Sequence, residues 1–135
     1  MRDATEALVR RYYAAFNARD WNGMIACLTD NVIHDVNQGE RHRGKPHFAS
    51  FLDHMERCYR EELKDIVVLS SADGARAAAE FVVHGTYLAT DEGLPPANGQ
   101  TYVLPAGAFF EVRNGLIARV TTTYNLKDWM AQVGA

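Results

Sequence analysis

A phenol and a carboxylate in the first third of the chain have the chemistry to work together: Tyr12, in Arg11-Tyr12-Tyr13-Ala14-Ala15-Phe16, and Asp35, in Asn31-Val32-Ile33-His34-Asp35. An apolar pocket resists ionisation of a carboxylate, raising its pKa towards the working pH, where it can take a proton from a carbon next to a carbonyl. A hydroxyl aimed at that carbonyl can stabilise the oxyanion that develops. Each residue also has a plainer reading. Asp35 can be a turn-forming aspartate at a strand end, and Tyr12 a core ring whose hydroxyl is satisfied by protein.

For the pair to meet, Tyr12 must lie on the buried face of one helix and Asp35 at the end of a strand beneath it. Leu8, Val9, Tyr12, Tyr13 and Phe16 recur at helical spacing behind Asp3 and Glu6, which read as a capping box, and predict a first helix. Asp20 reads as the cap of a short second helix carrying Trp21, Met24, Ile25 and Leu28, with Thr29-Asp30-Asn31 as the turn that ends it. Residues 32–36 predict a strand and 37–44 a polar loop; Pro46 then opens a third helix whose stripe is Phe48, Phe51, Leu52, Met55 and Tyr59. From there the period shortens to that of strands, over 63–69, 75–89, 101–113 and 116–124, with Asp73-Gly74 and Asn114-Gly115 as tight hairpin turns. The segment 90–100, with Pro95, Pro96 and two glycines, has the length of a functional loop or lid, and 126–133 closes the chain as a short helix. The expectation is one α+β domain over residues 1–135, with three N-terminal helices packed on a curved, mostly antiparallel sheet and a central cavity under them.

Composition narrows what such a cavity could serve. With 135 residues, 47% hydrophobic and 23% charged, the chain can bury one real core, and its net charge of -3 offers no basic surface for nucleic acid or an anionic membrane. No apolar run approaches bilayer length, and Met1-Arg2-Asp3 leads into a charged helix rather than an apolar signal segment, so a cytoplasmic protein is expected. Cys27 and Cys58 are flanked by apolar residues without CxxC spacing and read as reduced, buried thiols. His34, Asp35, His42, His47 and His54 crowd one third of the chain, yet their spacings match no metal-ligand pattern. No glycine-rich phosphate loop is present either, so neither metal nor cofactor is expected, and a small hydrophobic ligand is the expected partner.

Element order over nearly the whole chain resembles the NTF2-like superfamily, and the first 44 residues resemble its ketosteroid isomerase branch most closely. That resemblance places Tyr12 where the family's oxyanion-binding tyrosine stands and Asp35 where its general base stands. The stretch matching the family's second, acidic oxyanion donor is Pro105-Ala106-Gly107-Ala108, which has no acid. Gly93-Leu94-Pro95-Pro96, Asn114-Gly115-Leu116-Ile117, Trp129 and Gln132-Val133-Gly134 look like the polyketide cyclases, with Thr122 at the position of their last-strand aspartate. The chain as a whole looks like a SnoaL-like, ketosteroid isomerase-related protein.

Under that resemblance Asp35 and Tyr12 are the catalytic pair, and Phe16, Phe51, His54, Met55, Tyr87, Thr122 and Tyr124 form the substrate wall. Strand alternation turns His34 away from the pocket that Asp35 faces, and puts Glu80 and His84 on the outer sheet face, through which a homodimer is expected. Three readings stay open. The protein is an acid-base enzyme for a hydrophobic carbonyl compound, a non-catalytic binder using the same cavity, or a dimerisation module whose cavity is filled by its own side chains.

Overall fold

The stripe Leu8, Val9, Tyr12 and Tyr13 is the buried face of α1 (Arg2–Asn17) in the computed structural model, which describes residues 1–37 and 39–134. The helix begins one residue before the expected cap, at Arg2, so Asp3 lies in the first turn. There its charge favours the helix dipole instead of capping an N–H. α2 (Trp21–Ile25) is capped as the sequence suggests, with the Gly23 N–H donating to Asp20 Oδ1 at 2.9 Å. It stops short of Leu28. That residue opens β1 (Leu28–Asp35) opposite Ile117, because parallel pairing with a distant strand extends β1 four residues earlier than local pattern indicates.

β2 (Arg41–Arg43) is a short strand paired antiparallel to β1, within the segment expected to be loop. α3 (Lys45–Cys58) carries Pro46 in its first turn, and Tyr59 leaves the helix in an extended conformation to start β3 (Tyr59–Ser70). β4 (Arg76–Tyr87), β5 (Thr101–Arg113) and β6 (Leu116–Tyr124) follow, and α4 (Leu126–Val133) closes the fold. Between β5 and β6 both Asn114 and Gly115 have positive φ, 53° and 75°, as a two-residue hairpin turn of this type requires.

The six strands form one open sheet in the order β2-β1-β6-β5-β4-β3, antiparallel except where β1 runs parallel to β6. The three N-terminal helices and the closing α4 pack against it, as expected. A bulge between Lys64 and Val67, where Asp65 takes a φ of 55°, bends β3. Asn17 at the end of α1 clamps the backbone just before the bulge, donating to Leu63 O at 2.9 Å and accepting from Leu63 N at 2.8 Å. Beneath α1 the Tyr13 ring packs on Phe81 and Phe110 at 5.0 and 5.9 Å, and Tyr12 meets Phe110 edge-on at 5.9 Å. Each side chain buried to this degree contributes roughly 1.5–3 kcal/mol through removal of apolar surface from water.

One glycine in the sheet is held by what lies over it. The Tyr102 ring of β5 lies directly against Gly85 of β4, so any Cβ there would overlap the ring. Gly85→Ala is expected to cost about 1–3 kcal/mol through overpacking, read as a lower urea midpoint at unchanged m-value.

Candidate active-site cavity

Residues from all four helices and all six strands line a cavity of about 520 Å³ over the sheet. Its wall is mostly apolar and aromatic, and its charged lining residues are Glu40, Glu61 and Asp91; among the described residues no lysine or arginine lines it. Of the residues expected on the wall, Tyr12, Phe16, Phe51, His54, Met55, Thr122 and Tyr124 are there.

Asp35 is not. Val32, His34 and Val36 face inward, so strand alternation turns Ile33 and Asp35 to the outer face of the sheet. The helices cover the face bearing the two valines, which reverses the expected parity: His34 is inside and Asp35 outside. On that outer face Arg41 donates Nε and Nη2 to the two Asp35 carboxylate oxygens at 2.7 and 3.0 Å, and the Thr121 hydroxyl donates to Oδ2 at 2.5 Å. Hydrogen bonding from Arg41, reinforced by Thr121 and Arg119 against a smaller effect of burial, lowers the Asp35 pKa to about 2. A carboxylate held that strongly in its ionised form is a poor proton acceptor. Asp35→Asn is therefore expected to leave the affinity of the cavity for 2-naphthol within twofold of wild type and to cost about 1 kcal/mol or less in stability, as a partly exposed ion pair would.

Tyr87 also misses the cavity. Its ring is fully buried, stacked on Tyr59 at 5.5 Å and edge-on to Trp129 at 5.1 Å. Its hydroxyl donates to Pro95 O at 2.7 Å and accepts from Asp91 N at 2.9 Å, so Tyr87 pins the first half of the 90–100 loop rather than touching a ligand.

Two clusters of polar side chains stand out on the cavity wall. The first centres on His34, which is buried with its ring against Phe48 and Phe51 at centroid distances of 4.7 and 4.5 Å. Burial, with a contribution from nearby His42 and against the pull of Asp35, lowers its pKa to about 4, so the imidazole is neutral at pH 7. Among the described residues neither ring nitrogen has a hydrogen-bond partner. Tyr12 stands beside the same aromatic group, 6.4 Å from Phe48, and burial drives its phenol well above the ordinary value. It therefore remains a hydroxyl donor.

The second group centres on Glu61. Read in sequence, Arg60-Glu61-Glu62 is an ordinary charged, solvated run, and the residue gives no sign of a role. β3 turns Glu61 inward, where it is half-buried, and Tyr102 donates to its Oε2 at 2.6 Å. Burial raises the Glu61 pKa and the hydrogen bond from Tyr102 only partly offsets this. Oε1 has no protein partner among the described residues. Burial also raises Tyr124, and Glu61 adds to that. Nearby, Asp91 accepts from the Tyr59 hydroxyl at 2.6 Å and from His54 Nε2 at 3.0 Å. Burial works to raise the Asp91 carboxyl, but these hydrogen bonds outweigh it and hold it below the usual range. The only advance signal for Asp91 was its place in the long loop.

On the outer face, Glu80 and His84 stand where strand alternation put them, among the exposed Val67, Leu69, Val103 and Phe109. No helix of the described residues is long and apolar enough to cross a membrane.

Helices over one face of an open, bent sheet, enclosing an apolar cavity with a few placed polar groups, define an NTF2-like α+β cone. The family model described as SnoaL-like domain matches residues 9–120, and the chain belongs to that family. The crystal structure of a Pseudomonas putida protein provisionally named a polyketide cyclase is 65% identical, covers 96% of this chain and 97% of its own, and superposes with a TM-score of 0.95. A Silicibacter protein with the same provisional name is 55% identical, with 99% and 98% covered and a TM-score of 0.97. A Kribbella flavida protein provisionally named a ketosteroid isomerase is 27% identical, with 92% and 79% covered and a TM-score of 0.65. A comparison with curated proteins finds no match.

Proposed function

We propose that this SnoaL-like protein is an acid-base enzyme that moves a proton alpha to a carbonyl in a small, uncharged hydrophobic compound of the polyketide kind. The observation that supports it most is the placement, on the wall of one 520 Å³ apolar cavity, of a buried imidazole and an inward-turned, half-buried carboxyl, with no protein partner among the described residues on the imidazole or on Oε1. Their environments push them apart, burial lowering His34 and raising Glu61, and such divergence supports roles as base and acid. The provisional names of the similar proteins fit the same chemistry.

In this reading an His34 ring nitrogen takes the proton as the C–H bond breaks, and the bonding pair moves to the carbonyl oxygen. Glu61 Oε1–H and the Tyr12 hydroxyl donate to that oxygen. The proton then returns from His34 to a different carbon, an isomerisation, or the enolate carbon attacks a second carbonyl and closes a ring, the alkoxide formed taking the proton from His34. Phe16, Phe51, Met55, Thr122 and Tyr124 shape the space around the substrate.

The test is solvent deuterium exchange into 2-tetralone, a bicyclic uncharged ketone, followed by NMR alongside 2-naphthol binding read from Trp129 fluorescence. Acceleration by wild type that 2-naphthol inhibits supports the proposal. Binding of 2-naphthol without acceleration replaces it with the non-catalytic binder.

We also propose that two copies pair through the outer sheet face, where Val67, Leu69, Val103 and Phe109 are exposed. Sedimentation equilibrium giving a monomer mass at micromolar concentration would refute it.

A further inference from the structure

His54 and Cys58 are four residues apart in α3, and the helical pitch turns both side chains the same way. Four hydrogen bonds bring Asp91 to them from the loop after β4. Leu88 N and Ala89 N donate to the Cys58 carbonyl at 2.8 and 3.3 Å, tying the start of the loop to the end of the helix. Asp91 N donates to the Tyr87 hydroxyl at 2.9 Å, and the Tyr59 hydroxyl donates to Asp91 Oδ2 at 2.6 Å. As a result an imidazole nitrogen, the Cys58 sulfur and a carboxylate oxygen all lie within 4.8 Å of one another, with His54 Nε2 and Asp91 Oδ2 only 3.0 Å apart.

We propose that His54 Nε2, Cys58 Sγ and the Asp91 carboxylate bind a divalent cation of the zinc class, leaving its fourth position open to the cavity. With bonds of about 2.0–2.1 Å to nitrogen and oxygen and about 2.3 Å to sulfur, the edges of a zinc tetrahedron come to roughly 3.3–3.6 Å. The nitrogen–oxygen edge is therefore already formed to within a few tenths of an ångström, and the sulfur, within 4.8 Å of both, has to move in as the metal binds. A mixed nitrogen, sulfur and oxygen set suits zinc or cobalt and disfavours magnesium and calcium, which take oxygen ligands. His54 and Asp91 line the cavity and Cys58 is buried behind them, so three protein ligands face an open coordination site, the arrangement of a catalytic rather than a closed structural metal.

The proton balance is specific. Bound through Nε2, a neutral imidazole carries its proton on Nδ1, so Nε2 exchanges its contact with Asp91 for the metal. Arg57, which contacts Nδ1 through Nη2 at 3.1 Å, must then swing away, at the small cost of an exposed contact. Asp91 is already ionised. Cys58 loses its thiol proton to solvent, giving one proton released per metal bound. Tyr59 keeps its hydrogen bond to the ligating carboxylate and holds it in place. The proton-transfer proposal uses none of these three ligands, so the two stand or fall separately.

Chelator-treated protein titrated with cobalt(II) is the test. The expected result is one equivalent per chain, a near-ultraviolet thiolate-to-cobalt band, intense visible absorption of a four-coordinate ion, and displacement by zinc. Calorimetry in buffers of different ionisation heat should report one proton released. Cys58→Ser should abolish the ultraviolet band while Cys27→Ser retains it, and Asp91→Asn should weaken binding at least tenfold. Absence of the band at stoichiometric cobalt overturns the proposal, as does a band that survives Cys58→Ser. Should Cys58→Ser fail to fold, by circular dichroism, unchanged affinity in Asp91→Asn overturns it instead.

Discussion

Replacing Glu61 by glutamine is expected to slow deuterium exchange into 2-tetralone about 10²–10³-fold, the loss that follows removal of one preorganised donor to a developing oxyanion. Glutamine keeps the size of the side chain and can still accept from Tyr102, so packing and the thermal midpoint should change little. What it loses is the acidic proton. An amide N–H is a far weaker acid than a carboxyl, and the enolate oxygen is left with Tyr12 as its strong donor. Affinity for 2-naphthol is the control: a variant that binds as wild type does but exchanges slowly has lost chemistry, whereas loss of both indicates a rearranged cavity. A Glu61→Gln protein that exchanges at the wild-type rate removes Glu61 from the mechanism, and with it the functional meaning of its burial.

The second large effect is on stability and comes from His34. Its pKa is 6.5 in the unfolded chain and about 4 in the fold, so between those values the unfolded state binds more protons. Stability from this group is complete above pH 6.5 and is lost as pH falls towards 4. The shift corresponds to about 3 kcal/mol at most. Glu61 works in the opposite sense over part of that window, because a carboxyl raised by burial prefers the folded state as pH drops. Asp35 enters only lower, between 3.8 and about 2. The readout is therefore the difference between wild type and His34→Phe in urea unfolding at successive pH values. Phenylalanine extends the Phe48 and Phe51 packing and cannot titrate, so wild type should lose roughly 2–3 kcal/mol relative to the variant between pH 7 and pH 4. Parallel pH dependences in the two proteins would mean that the imidazole is solvated and not available as a neutral base inside the cavity.

These predictions depend on residues of uneven legibility in the sequence. His34 reads from the sequence as facing away from the cavity, although Val32 and Val36 flank it at the spacing that marks one side of a strand. Asp35 drew attention because a resemblance matched its position, while its partners Arg41 and Thr121 come from β2, hidden in an apparent loop, and from a strand 86 residues away. Glu61 was camouflaged by its charged neighbours. Tyr87 was correctly expected to face inward, but which surface a buried ring presents to a cavity depends on Tyr59 and Trp129, from elements separate in sequence.

What the sequence determined by itself is whatever depends on short range: the stripe of α1, the Asp20 cap, the Asn114-Gly115 turn, the run of long strands after the helices, and hence the order of all elements but the short β2, and the family. Periodicity and turn chemistry are local properties and are written in consecutive residues. Only the tertiary structure decided which face of β1 the helices cover, which carboxyl is stripped of water, and that Asp91 comes back to meet His54 and Cys58. A strand pattern defines two faces without naming the inner one, and desolvation is imposed on a side chain by residues far along the chain, so neither can be read before the chain has folded.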